Sequence, residues 1–495
     1  MTDHPVTAVG AGPGQIEARL EPDAIGVAQD TVIGMASTAP GASAGLTLAA
    51  LAAAAAYADV PVILVTALPM LIIANSYRRL NLWKANCGAS FEWVGRAIDP
   101  NLGFMTGWLM ICGYIIGAVA GVQILGPAVL QVFTNNPGNT WGIIAIATAV
   151  SVVMLIVAIV GIKITARTQV SIAAIEYLIL IGLSIAGLVA VLNHRPGTFP
   201  ITHEWFQLSG IGGKGSLAAG LLIAVFIYSG WEGTLYVNEE VKHRRQNPGK
   251  AAVWAVFILT GIFILVYLGL SGLVSPAKLQ ANSTSALTYV IQAQFGGGWA
   301  KLMAVALALS VIAATGANIL LTSRIIYGMA SHRVLPSILG RVSPRYHTPV
   351  GATILVGVAL IAITWIYLLA GSVQSAFDAV VSISGLLFAA FYVMTGLATI
   401  AFYRKRIASH AWDLLICGIL PLASAGFLVW IIYRSLQDAP ASQDWSLVGI
   451  VALGLVLLFV ARFVMRSAYF HLPREAASKD VSITGDEDPR TTTRA

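Results

Sequence analysis

Apolar stretches long enough to cross a bilayer, separated by short polar or charged breaks, run along almost the whole chain. Runs 141–160, 251–274, 350–370 and 379–402 contain no charged residue, and each reaches across a ~30 Å hydrocarbon core when wound as a helix. Reading apolar runs against charged or Pro/Gly/Asn-rich breaks predicts twelve spans: 24–56, 60–77, 102–132, 141–160, 170–192, 217–237, 251–274, 302–323, 350–370, 379–402, 414–432 and 447–464. The expected organisation is a disordered cytoplasmic tail over 1–23, a ten-helix core over 24–404, two more membrane helices within 412–466 and a second disordered tail over 467–495. The core divides into halves of five helices, 24–192 and 217–404.

Two of the predicted spans are interrupted at matching places in the two halves. The first contains Gly34-Met35-Ala36-Ser37-Thr38-Ala39-Pro40-Gly41, where proline removes a helical donor and glycine favours non-helical backbone. The sixth contains Ser229-Gly230-Trp231-Glu232-Gly233. Unpaired backbone groups are costly in hydrocarbon, so such breaks face protein or a wet cavity. The N-terminal end of a half-helix offers N–H groups to a carboxylate, and the C-terminal end suits an ammonium. The backbone of Ala36, Ser37, Thr38, Ala39 and Gly41, with Ser229, Gly230, Trp231, Glu232 and Gly233, is therefore the expected substrate site.

Composition agrees: 57% of the 495 residues are hydrophobic and 10% charged, against roughly a quarter charged in a soluble domain. The segment 1–23 lacks the apolar core of a secretory signal, so the first apolar stretch is expected to stay in the mature protein. A net charge of +7 does not point to nucleic acid, because the cations cluster beside apolar runs. Alternate connections hold Arg78, Arg79, Lys84, Lys163, Arg244 and Arg324 with many others, whereas the opposite set holds only Arg195, Lys214, Lys278, Lys301 and Arg434. By the positive-inside rule the first set is cytoplasmic, as are both termini of a chain in the cytoplasmic membrane.

Three acids lie well inside predicted spans: Asp30, Glu176 and Glu232. An ionised carboxylate near the bilayer centre costs about 3 kcal/mol even on a lenient scale, so each is expected to face a pathway or a partner. Glu232, in the sixth-span break, is read as a protonatable group responding to substrate, or as a cap on the following half-helix. Glu176 has apolar helical neighbours and is expected to face another helix, with proton coupling as its functional role. Asp30 is read first as one member of an interfacial ion pair and second as a coupling group. Glu239 and Glu240, before Lys242, Arg244 and Arg245, are read as interfacial salt bridges or a gate. Gly113, Gly117 and Gly121 make a smooth face for helix packing. Cys87, Cys112 and Cys417 show no metal-ligand spacing, and no nucleophile–base pair accompanies the acids, so neither a metal, a cofactor nor an enzyme is expected. The Gly10-Ala11-Gly12-Pro13-Gly14 stretch has no strand before it and is read as tail.

Several segments carry a family likeness. Ser323-Arg324-Ile325-Ile326-Tyr327-Gly328-Met329-Ala330, then Val334-Leu335-Pro336 and Thr348-Pro349, looks like the loop after the eighth helix of the amino acid–polyamine–organocation permeases. Phe226-Ile227-Tyr228-Ser229-Gly230-Trp231-Glu232 leading to Asn238-Glu239-Glu240, and Cys87 to Val94 leading to Gly107-Trp108, agree in order and spacing. The chain thus resembles the bacterial amino acid permease branch from about residue 20 to 404. The resemblance implies an all-α, five-plus-five inverted repeat of the leucine-transporter type, discontinuous helices one and six, peripheral helices eleven and twelve, and alternating access. It also implies that Trp231 is an aromatic lid over the substrate. Many members read Gly-Ser/Thr-Gly at the first break, where this chain has Gly34-Met35-Ala36, and some proton-coupled relatives carry Lys where this chain has Glu176. Sodium-coupled relatives hold their ion with eighth-helix hydroxyls, which 313–318 offers sparingly, so proton coupling or exchange is expected. The expected function is secondary active transport of an amino acid, or alternatively exchange of an amino acid, polyamine or organocation.

Overall fold

The structure, a computed structural model, describes residues 19–55, 57–134, 138–208, 214–370, 373–408, 410–437 and 441–477. The Gly10 to Gly14 stretch and most of both expected tails lie outside these residues. Among the described residues there is no β-sheet, and twelve segments are long and apolar enough to span a membrane. The first consists of α1 (Val27–Thr38) and α2 (Pro40–Ala55). Next come α3 (Asp59–Trp83), the short α4 (Ser90–Ala97), α5 (Pro100–Phe133), α6 (Thr140–Val160) and α7 (Ile162–Leu192). The second half comprises α8 (Lys214–Tyr228), α9 (Asn247–Leu270), the short α10 (Pro276–Ala281) and α11 (Ala286–Phe295), then α12 (Gly297–Ser331), α13 (Val350–Ala370) and α14 (Val373–Ile407). Ala411–Gln437 and Trp445–Val464 complete the twelve. The last is peripheral: 11% of its most apolar stretch is buried, against 83% for α12.

Both breaks have local causes. Pro40 has no N–H to continue α1, and Ala39 turns left-handed at φ 51° and ψ 65°, its N–H shared by the Met35 and Ala36 carbonyls. The interruption is thus confined to one residue, narrower than the expected 34–41, because α1 stays helical through Thr38. In the sixth span α8 stops at Tyr228, Gly230 adopts φ +116°, and a 3-10 turn, Trp231–Leu235, follows. The two breaks touch: a Cβ placed on Gly230 would lie 2.6 Å from the Thr38 nitrogen. Only glycine permits both that φ and that approach.

The structure corrects several expectations. Arg324 is not in a loop; α12 runs on to Ser331, and Arg324 is fully buried within it. The stretch 323–330, expected as a loop, is helical because Arg324 finds a buried partner in Glu240. Asp30 forms no interfacial ion pair: it is buried, and neither carboxylate oxygen has a hydrogen-bond partner among the described residues. The tails are ordered where they meet the core. Leu20 is buried and Glu21 pairs with Lys163. Residues 467–477 pack across the face where the described residues begin and end, hereafter the terminal face. There Tyr469 stacks on Phe91 at 4.5 Å and donates to its carbonyl, and the Ala477 N–H donates to the Phe402 carbonyl.

Beneath that strap, the buried Glu92 of α4 meets Arg96 Nε at 2.5 Å, His332 Nε2 at 2.9 Å and Lys84 Nζ at 3.1 Å. Burial pushes its carboxyl up, but His332, Lys84 and Arg96 together outweigh burial and hold it well below the ordinary carboxylate range. Glu475 of the strap joins the cluster through Arg96 Nη1 at 2.8 Å.

Candidate functional site

A small cavity of about 40 Å³ lies where the two breaks meet. That holds ~3 waters, so a solute enters only as the walls move apart. Ser37, Thr38 and Ala39 of the first break and Ser229 and Gly230 of the second line it. Ser37 Oγ donates to Asn318 Oδ1 of α12 at 2.7 Å, and both residues face the cavity. From α5 come Tyr114, Gly117 and Gly121; Phe226 and Phe388 close the sides. The glycine row is therefore a cavity wall at Gly117 and Gly121, not only a packing face. These α5 residues, with Asn318, Phe226 and Phe388, went unmarked as site residues because spacing shows which residues share a helix face but not what that face meets.

The other expected site residues stand back from the cavity. Ala36 packs with Ala313 and Ala317, and Gly233 lies against Leu321. Trp231 does not line the cavity: its ring is fully buried, stacked on Tyr392 at 5.5 Å and edge-on to Tyr77 at 5.2 Å. Glu232 also lies behind the wall, where Oε1 accepts from Tyr114 at 2.8 Å and Oε2 from Tyr392 at 2.6 Å and from the Gly230 N–H at 3.1 Å. Tyr114 is thus a single hydroxyl bridge between cavity and carboxylate.

The first break is capped in the same way. The Gly41 N–H donates to Glu176 Oε1 at 3.2 Å, and the Ala42 N–H donates to Ser310 Oγ at 3.0 Å. Glu176 thus reaches another helix, as expected, and its partner is a helix N-terminus. Glu239 lies off the cavity, its Oε1 accepting the Cys87 N–H at 3.0 Å, and burial raises its carboxyl above the usual range.

The route from the cavity to the terminal face is closed. Ile25 and Val241 bridge in parallel, the Ala24 N–H donates to the Glu240 carbonyl, and the Lys242 N–H donates to the Ile25 carbonyl. Beside this staple, Arg324 grips Glu240 with two bonds of 3.0 Å.

A family profile described as amino acid permease matches residues 29–467, nearly the full described length. The chain belongs to the amino acid permease family. Among curated members it is 25% identical over 392 residues to a methylthioribose transporter of Bacillus subtilis, covering 75% of this chain and 79% of that one. An arginine/ornithine antiporter of Lactococcus lactis is 21% identical over 434 residues, covering 79% and 86%. Among solved structures, a manganese transporter of Eremococcus coleocola aligns over 92% of this permease and 99% of its own chain, with a TM-score of 0.53 at 13% identity. That likeness shows the shared leucine-transporter-type fold. The permease is a transport protein and not an enzyme.

Proposed function

We propose that this permease is a secondary active carrier that moves a small amino-bearing solute, an amino acid or related amine, across the cell membrane by alternating access. The observation that carries this reading is the contact of the two helix breaks around one small cavity, with a backbone staple between that cavity and the terminal face. Breaks inside a bilayer are tolerable where they line a solute path, and paired breaks let one half rock against the other. The functions named for the relatives, amino acid exchange among them, support a small organic cargo. The cation-rich loops on the terminal face support a cytoplasmic location for both termini.

Coupling to protons is assigned to Glu232. Its partners are neutral hydroxyls and an N–H, and Tyr114 links it to the cavity, so a proton there and a solute in the cavity share one hydrogen-bond path. Proteoliposomes containing the permease, supplied from outside with labelled amino acids and amines, test this. Saturable uptake should rise with an imposed inward proton gradient, and E232Q should keep counterflow while losing that response. Conductance without saturation or counterflow would make the protein a channel and end the carrier reading.

A further inference from the structure

We propose that Glu176 fills the anion slot at the first break, and that the carried solute is an organic ammonium without a carboxylate. This rests on the carrier reading above and narrows its cargo. The first turn of a helix normally leaves its leading N–H groups free for an anion. In α2 none is left over. Pro40 has no N–H, Gly41 donates to Glu176, Ala42 to Ser310, and Ser43 to the Ala39 carbonyl. Whether ionised or protonated, an oxygen of Glu176 accepts the Gly41 N–H, so the occupation does not depend on charge state. At the second break the Gly230 N–H is likewise held by Glu232.

What remains on the cavity wall favours a cation. Two helices, α1 and α8, end at the cavity with their C-terminal, partly negative poles, at Thr38 and Tyr228. The side chains of Ser37, Ser43, Ser229, Thr315 and Asn318 offer acceptor oxygens, and the described lining contains no Lys, Arg or His. Phe226, Phe388 and Tyr114 add aromatic rings, which suit an ammonium. A solute carboxylate placed here would meet two negative helix ends and no free N–H of α2. It could reach the Gly41 N–H only by displacing Glu176, costing a buried carboxylate one of its donors. Glu176 is thus a specificity-determining residue that selects against carboxylates.

Matched pairs that differ only by the carboxylate test this: leucine against 3-methylbutylamine, and phenylalanine against 2-phenylethylamine. Binding is read on the purified full-length protein by thermal shift, and transport by counterflow in proteoliposomes. The wild type should prefer each amine by at least about tenfold. E176Q, which keeps an acceptor oxygen at Gly41, should keep the preference, whereas E176A should lose most of it. S310A, which frees the Ala42 N–H and removes the hydroxyl bonded to Glu176 while leaving the Gly41 N–H held, should lose a smaller part and serves if E176A does not fold. A wild type that prefers the amino acids, or unchanged ratios in both E176A and S310A, overturns the inference while leaving the carrier reading intact. Amine-selective binding without counterflow overturns the carrier reading and keeps the selectivity. Neither binding nor flux with any of the four solutes overturns both.

Discussion

Arg324 and Glu240 are joined by two hydrogen bonds of 3.0 Å at the terminal end of the core, and neither side chain is exposed by more than 1%. The pair ties α12 to the segment after the sixth-span break, beside the Ile25–Val241 bridge. It is the polar element of the seal between cavity and terminal face. Breaking such a pair from one side leaves a buried charge uncompensated, at a cost of about 3–5 kcal/mol.

E240Q and R324A should therefore open the seal. With S37C as a reporter in the cavity, an impermeant thiol reagent supplied to the terminal face should label the variants at least about tenfold faster than the parent, given a cost of that order. Equal labelling rates would mean the backbone bridge alone closes the path.

Gly230 is the contact point of the two breaks. G230A combines a φ of +116° with a Cβ 2.6 Å from the Thr38 nitrogen, so either break must shift. Overpacking of this kind costs about 1–3 kcal/mol, and here it also moves the cavity wall. Counterflow should fall below detection while the protein still folds in detergent; wild-type kinetics for G230A would show that the close approach is not needed for transport.

Gly117 separates cavity filling from destabilisation. A Cβ there meets nothing closer than 3.8 Å, so G117A should melt and transport like the wild type. G117L projects a side chain into a cavity of about 40 Å³ and should abolish solute binding with little change in melting temperature. Normal affinity in G117L would place the solute elsewhere.

Glu92 sets an acid-sensitive contribution to stability. Its carboxyl is depressed in the folded state, so its stabilisation is present above its unfolded value, about pH 4.3, and fades as pH falls through the folded value. E92Q should cost about 3 kcal/mol near neutral pH, where it leaves Arg96 and Lys84 facing each other without their anion. The gap in melting temperature between wild type and E92Q should narrow as pH drops below about 4. A constant gap down to pH 3 would show that the carboxylate is not the group responsible.

The spans and both breaks were legible because bilayer solvation acts on local sequence. A run of about twenty apolar residues and a Pro or Gly within it report their meaning without reference to distant residues. Pro40 and Gly230 mark their breaks this way. The cavity was only half legible. Its backbone floor, Thr38 to Gly230, follows from the breaks, but its walls come from Tyr114, Asn318, Phe226 and Phe388, on helices whose facing depends on packing. Charged residues misled for the same reason. Arg324 reads as a loop cation until Glu240, 84 residues away in the chain, is seen beside it.

By itself, then, the chain determined that it is a twelve-span, all-helical membrane protein with two interrupted helices, because insertion into lipid is decided segment by segment. Only the tertiary structure decided which polar groups those interruptions meet. Glu176 and Gly41 are 135 residues apart, and whether a helix end is free for a solute or already capped depends on which side chain the fold brings to it. A hydrogen bond is formed at ~3 Å, a distance that long-range packing sets.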